Sequence, residues 1–236
     1  MPIGLIADVF ALIAGGLLGT IMGKNVSESM KAALNNIFGF CAMAIGVRLI
    51  VRMNSLSAVV LAVVLGTLVG ELLHLEAFID KGATAATEKL LNRNGQVDPC
   101  FINTFCAVAV LFCCSGTGWY GVLNEGFTGD SSILITKAIL DFFTALIFAA
   151  VLGKLVSYLA VPQFIIYVVL FSVSRLVVPF ITTEMLADFS AVGGIVELAT
   201  GMRIAGIKRD TQVINVIPAM ILIFPISALW MLLIGV

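Results

Sequence analysis

A polytopic, all-α bundle of about eight transmembrane helices is the fold class this sequence predicts. Three observations carry the prediction. Of the 236 residues, 61% are hydrophobic and only 11% charged, where a soluble domain carries about a quarter charged. The mean hydropathy is +1.14. Apolar runs of about 20 residues, the length that crosses a hydrocarbon core of roughly 30 Å, recur from one end to the other. The net charge is −1, and no strongly basic face points to nucleic acid.

The first helix is expected at Ile3 to Met22. Its start, MPIGLIADVF, has no basic n-region and is interrupted by Asp8, so it reads as a retained span and not a cleaved signal. Apolar runs then place helices near Leu34 to Val51 and Leu56 to Leu73. The long polar segment Glu76 to Asp98 carries Ile79, Ala83, Ala86, Leu90 and Leu91 at helical spacing and ends at Asn94 and Gly95. It reads as an amphipathic helix on the membrane surface, a connector (76–98) between two halves of one integral membrane domain, 1–236. Further helices are expected near Cys100 to Tyr120, Ala138 to Leu159, Phe164 to Ile181, Leu186 to Ile207 and Val213 to Leu233. Alternate connections then divide the basic residues unequally. One side holds Lys24, Lys31, Lys81, Lys89, Arg93, Lys154, Arg203, Lys208 and Arg209, and the other Arg48, Arg52, Lys137 and Arg175. Basic loops stay inside, which puts both termini outside.

Short echoes suggest helical hairpin repeats. LGTIMGK (Leu18 to Lys24) recurs as LGTLVGE (Leu65 to Glu71), ADVFALIAGGLLG (Ala7 to Gly19) resembles LDFFTALIFAAVLG (Leu140 to Gly153), and NIFGFCAMA (Asn36 to Ala44) resembles NTFCAVA (Asn103 to Ala109). A competing match of AIGVRLI with ATGMRIA (Ala44 to Ile50, Ala199 to Ala205) pairs helices of opposite direction, so parallel and inverted repeats both stay open. Glycines at helical spacing, such as Gly15, Gly16, Gly19, Gly66 and Gly70, read as close-packing positions. The clustered glycines Gly116, Gly118, Gly121, Gly126 and Gly129, and the stretch DFSAVGGIVELATG (Asp188 to Gly201), read instead as backbone that leaves the helix. Pro218 and Pro225 are expected to interrupt the last helix. Opened backbone at membrane depth lines a cavity or is buried in protein, and its free amides and carbonyls can hold ions.

Ionisable groups within apolar helices are expensive and mark function by default. Asp8, Asp141, Asp188, Arg48 and Arg175 fall toward the outer helix ends with Glu125 and Asp130, and one outer vestibule would gather them. For Arg48, Lys154 and Arg203 the preferred reading is that they snorkel to the interface. The candidate substrate- or ion-binding residues are Ser115, Thr117, Asn124, Glu125, Asp130, Asp141, Asp188, Ser190, Glu197 and Asn215. His74 sits at an interface, and Cys41, Cys100, Cys106, Cys113 and Cys114 have no metal-ligand spacing, so no cofactor is expected and metal binding is left open. A Ser115 or Ser190 nucleophile has no histidine within reach, and a serine with a carboxylate alone is a thin case for an enzyme.

The run LFCCSGTGWYGVLNEGFTGDSSILITKAILDFFTALIFA (Leu111 to Ala149), with ADFSAVGGIVELATGMRIAGIK (Ala187 to Lys208) and NVIPA (Asn215 to Ala219), closely resembles the YqgA-like family of bacterial inner-membrane proteins of unknown function. The likeness runs essentially end to end. It implies a multi-pass protein of the bacterial cytoplasmic membrane and brings no substrate or mechanism with it. The leading functional expectation is a small-solute or ion transporter, cation- or proton-coupled, whose opened segments at Ser115 to Gly118 and Ser190 to Gly194 converge on one site. The alternative is a structural or channel-like oligomer that transports nothing by coupling. Expected partners are the lipid bilayer and a small solute or ion, with a homo-oligomer left open.

Overall fold

In the computed structural model, residues 2–22, 28–91, 99–208 and 212–234 are described, and among them every regular element is helical. The helices are α1 (Ile3–Met22), α2 (Glu28–Ile50), α3 (Leu56–Leu72), α4 (Leu75–Leu91), α5 (Pro99–Cys113), α6 (Gly116–Thr128), α7 (Ser132–Leu152), α8 (Leu155–Tyr158), α9 (Ala160–Val177), α10 (Thr183–Ile204) and α11 (Ile217–Ile234). Short 3-10 turns at Val178–Phe180 and Ile214–Val216 follow α9 and precede α11.

Among the described residues, six stretches are long and apolar enough to cross a membrane: Ile3–Met22, Thr104–Thr128, Ser132–Leu152, Leu155–Phe180, Thr183–Ile204 and Ile214–Leu233. The pair α3 and α4, bent by 48° at the Leu73–His74 corner, makes a seventh, and Asn36–Ile50 is a shorter apolar helix. The corner is where His74 adopts a left-handed φ of 48°. The expected amphipathic segment is helical as far as Leu91. Its predicted end at Asn94 and Gly95 lies outside the described residues.

Two compact units form from interleaved segments, Met1–Leu34 with Ala77–Arg175, and Asn35–Glu76 with Leu176–Val236. In the first unit α1 and α7 run side by side in the same direction: Gly4 meets Leu134, Gly15 meets the Phe142 carbonyl, and Gly19 meets the Leu146 carbonyl. These are the helices whose sequences echo one another. Any side chain at Gly15 or Gly19 would collide with α7 backbone, so glycine is what lets the axes approach. Leu12, Phe105, Val108, Phe112, Ala145, Ala149 and Val156 fill the space between α1, α5, α7 and α8.

The second unit packs its helices in opposite directions. Gly39 and Gly46 of α2 lie on Gly201 and Gly194 of α10, and Gly66 and Gly70 of α3 lie on Ala219 of α11 and on Asn215 in the 3-10 turn before it. Phe189 of α10 stacks on Phe224 of α11 with centroids 5.3 Å apart.

Several expected breaks are regular helix. Gly116, Gly118, Gly121 and Gly126 all lie inside α6, where Gly118 admits the Tyr167 hydroxyl and Gly126 that of Ser174. Only Gly129 leaves the helix, capping α6 at φ 77°. Ser190 to Gly194 lie in the middle of continuous α10, whose small residues serve the α2 crossing. Pro218 fits the first turn of α11, which lacks an N–H partner anyway, and α11 continues through Pro225. The break that does exist is at Cys114–Ser115. There Ser115 caps α6 by accepting from the Gly118 N–H, and the Trp119 indole N–H donates to the freed Cys113 carbonyl at 2.9 Å.

Candidate functional site

Three helices of the first unit each deliver polar groups to one buried point. Helix α1 brings Asp8. Helix α7 brings Lys137 and Asp141, four residues apart and therefore on one face, and α9 brings Gln163 and Tyr167 at the same spacing. Asp8, Gln163 and Tyr167 are 0% exposed, Lys137 is 2% and Asp141 is 9%.

The Lys137 ammonium bridges the two acids. Its Nζ lies 3.2 Å from Asp8 Oδ2 and bonds Asp141 Oδ2. The Gln163 amide reinforces the bridge, donating from Nε2 to Asp8 Oδ2 at 2.9 Å and, more weakly, to Asp141 Oδ2 at 3.4 Å. Lys137 also stands 5.9 Å from the centre of the Tyr167 ring, a cation–π contact. The first turn of α6 closes over the group, with Gly118 against the Tyr167 hydroxyl and Lys137 Cε. The α5–α6 break therefore lies beside the cluster. Two acids face one base, and two buried acceptors, Asp8 Oδ1 and Gln163 Oε1, have no hydrogen-bond partner among the described residues.

Of these residues, Asp141 is a binding candidate from the sequence and Asp8 an intramembrane charge. A span starting at Ala138 leaves Lys137 in an outer connection, whereas α7 begins at Ser132 and holds Lys137 inside the helix. Gln163 and Tyr167 were missed. The available signal was the Lys137/Asp141 spacing together with the echo that aligns Asp8 with Asp141.

The other candidates have different surroundings. Glu125 receives the Gly4 and Leu5 N–H groups at 2.8 and 3.1 Å and the Ser131 hydroxyl at 2.5 Å, so it caps the start of α1. Asp188 does the same for α3, receiving the N–H groups of Asn54 and Ser55 at 2.9 and 2.7 Å and the Ser227 hydroxyl at 2.7 Å. Both carboxylates answer the unpaired amides and positive pole of a helix N-terminus. Asn124 accepts from the Tyr120 hydroxyl at 3.4 Å and donates to the Asp130 carbonyl at 3.3 Å, joining the end of α6 to the following turn. Asp130 is exposed and accepts from the Ser132 N–H at 2.9 Å. Thr117 is buried in the first turn of α6, and Ser115 is half-buried at its cap. Ser190 donates to the Leu186 carbonyl of its own helix at 2.8 Å. Glu197 is fully buried on α10 beside Gly46. Asn215 anchors the α3–α4 corner, donating to Glu71 at 2.5 Å and accepting from the Glu76 N–H at 2.9 Å, while Arg203 donates to Glu76 at 2.7 Å.

The expected gathering of acids into one vestibule is replaced by specific placements. Asp8 and Asp141 meet at Lys137, whereas Glu125 and Asp188 each end at a helix start. Ser115 and Ser190 belong to different units. Among the described residues no group of three or more His, Cys, Asp or Glu side chains is arranged to hold a metal.

Comparison with known proteins agrees with a membrane location. The chain is 45% identical over 235 residues to "Uncharacterized protein YqgA" of Escherichia coli (strain K12), covering 98% of each chain. It is 24% identical over 223 residues to "Uncharacterized membrane protein YdfK" of Bacillus subtilis (strain 168), covering 93% of each. No solved structure matches it. With its long apolar helices, the chain is a multi-pass membrane protein. The whole lysine cluster and both carboxylate-capped helix starts lie within residues 3–228, the stretch that matches the protein family of unknown function DUF554, and the chain belongs to that family.

Proposed function

We propose that this protein is a small-solute or ion transporter of the bacterial cytoplasmic membrane, driven by a coupled cation or proton, with both termini on the outer side. One observation supports the reading above the others: Asp8, Lys137 and Asp141 are buried together in apolar helices, with one acid in excess. Charges at membrane depth are kept where they handle ions or solutes, because a purely structural contact is made more cheaply by apolar side chains. The interrupted helix beside the cluster adds to this, since broken spans supply backbone groups to transporter sites. In this reading Asp8 and Asp141 handle the coupling ion, Lys137 and Gln163 hold them, and Ser115 and Thr117 at the break are the nearest solute ligands. No catalytic role is assigned, and the partners are the bilayer and the transported species.

A second reading has its own observation. Glu125 and Asp188, two of the acids expected on the path, each accept from two backbone amides and a serine hydroxyl and serve as caps. A protein whose Lys137 cluster served only packing would be a structural membrane component. Flux of ions and a solute panel into proteoliposomes, under pH and sodium gradients, separates the two. Gradient-dependent flux that is lost in Asp8→Asn and Asp141→Asn and kept in exposed Asp130→Asn supports transport. Background flux throughout, with every variant folded, leaves the structural reading.

A further inference from the structure

We infer that the coupling species is a single proton, taken up on Asp8 Oδ1 and received there by the Gln163 amide oxygen. The inference rests on the transport reading and names the ion for the same cluster. With both acids ionised and Lys137 protonated, the buried group carries one net negative charge, which one proton removes.

The hydrogen-bond inventory then chooses among cations. The hydrogen bonds that Lys137 and Gln163 donate in the cluster end on Oδ2 of Asp8, Oδ2 of Asp141 or the Tyr167 hydroxyl. What remains are two acceptors without donors, Asp8 Oδ1 and Gln163 Oε1, on two fully buried side chains already joined by the 2.9 Å bond from Nε2 to Oδ2. A carboxylic acid and a primary amide can pair through two hydrogen bonds in one ring, amide N–H to acid C=O and acid O–H to amide C=O. Here the first of these bonds exists. A proton on Oδ1 turns one orphan acceptor into a donor, and a side-chain rotation of Gln163 brings the other orphan to it. A single proton delivered by hydronium, which leaves as water, thus neutralises the charge and satisfies both acceptors.

A metal ion fits less well. Hard cations take six or more oxygen ligands, and the cluster offers two unoccupied oxygens next to a fixed ammonium that repels a second cation. An anion fits least, because two carboxylates already face one ammonium.

The groups facing Asp8 are few. Helix α7 presents Lys137 and Asp141, and α9 presents Tyr167. Helix α6 presents Glu125, held to the Gly4 and Leu5 amides about one turn away. Helix α8 turns Ser157 to Ile13 and leaves Tyr158 exposed. The buried Cys113 thiol of α5 lies within electrostatic reach of Lys137 and Asp141.

The test is infrared difference spectroscopy of the full-length protein in nanodiscs, titrated with acid in H2O and D2O, with and without sodium. A carboxylic acid C=O band should appear on acidification, shift in D2O, ignore sodium, vanish in Asp8→Asn and move to higher frequency in Gln163→Met, which removes the amide partner. A wild-type spectrum without that band overturns the inference, as does a band that persists in Asp8→Asn or one that sodium displaces. Parallel proteoliposome flux keeps the two claims separate. A band that meets these criteria without any coupled flux upholds the proton site and removes the transport reading. Sodium-driven flux without the band upholds transport and removes the proton.

Discussion

Replacing Lys137 by methionine is the sharpest test of the buried cluster, because it removes the one base and leaves two acids. At an effective dielectric constant of about 20, an ammonium and a carboxylate 3.2 Å apart attract by about 5 kcal/mol, and Asp141 lies closer than Asp8. Desolvation of the ions offsets much of that attraction. Removing one partner of a buried pair nonetheless costs about 3–5 kcal/mol, since the charge left behind has no compensation. For a chain of this size each kcal/mol moves the melting temperature by about 2–4 °C, so Lys137→Met should melt about 6–20 °C below wild type. The assay is thermal unfolding in nanodiscs followed by tryptophan fluorescence, for which Trp119 is placed beside the cluster at the α5–α6 break. The companion variant gives the opposite sign. Asp8→Asn leaves one acid for one base and should melt within about 2–4 °C of wild type, or above it. Equal losses in the two variants would refute the charge count, and an unshifted Lys137→Met would refute the bridge itself.

Three other perturbations follow from the same structure. Asp188→Ala strips the partner from the Asn54 and Ser55 amides and should speed their hydrogen exchange, at a loss of about 2–3 kcal/mol, while Glu125→Ala does so for Gly4 and Leu5; unchanged exchange at those amides would sink the capping assignments. Gly19→Val drives a side chain into the Leu146 carbonyl and should cost about 3 kcal/mol or more, read as lost expression or a collapsed melting transition. Ser190→Ala removes only a bond to its own helix, so both stability, to within about 0.5 kcal/mol, and flux should stay at wild-type values.

Fold class and the placement of most helices were legible because hydrocarbon length and apolar composition are global properties that no single contact overturns. Helix ends were not. The apolar run places a span start at Ala138, yet α7 begins at Ser132 and buries Lys137 against two acids that composition alone cannot pair. The glycines of α6 and α10 misled for a related reason. Glycine is the choice both for opened backbone and for close helix approach, and only a three-dimensional neighbour such as Tyr167 or Gly46 decides between them. Glu125 and Asp188 stand out in the sequence as binding candidates, and in the structure they accept from helix-start amides. Their partners are main-chain amides more than 100 residues away, which leave no trace in side-chain pattern.

Those two caps also bear on the order of assembly. The amides at the start of α1 wait for a carboxylate that is synthesised 120 residues later, and those before α3 wait for one 133 residues later. Each helix must therefore enter the bilayer with its leading end still answered by water or headgroups. The leading end of α1 is fixed only when α6 arrives, and that of α3 only when α10 arrives. A nascent chain halted before Glu125 would contain α1 in full and still lack the side chain that fixes where it begins.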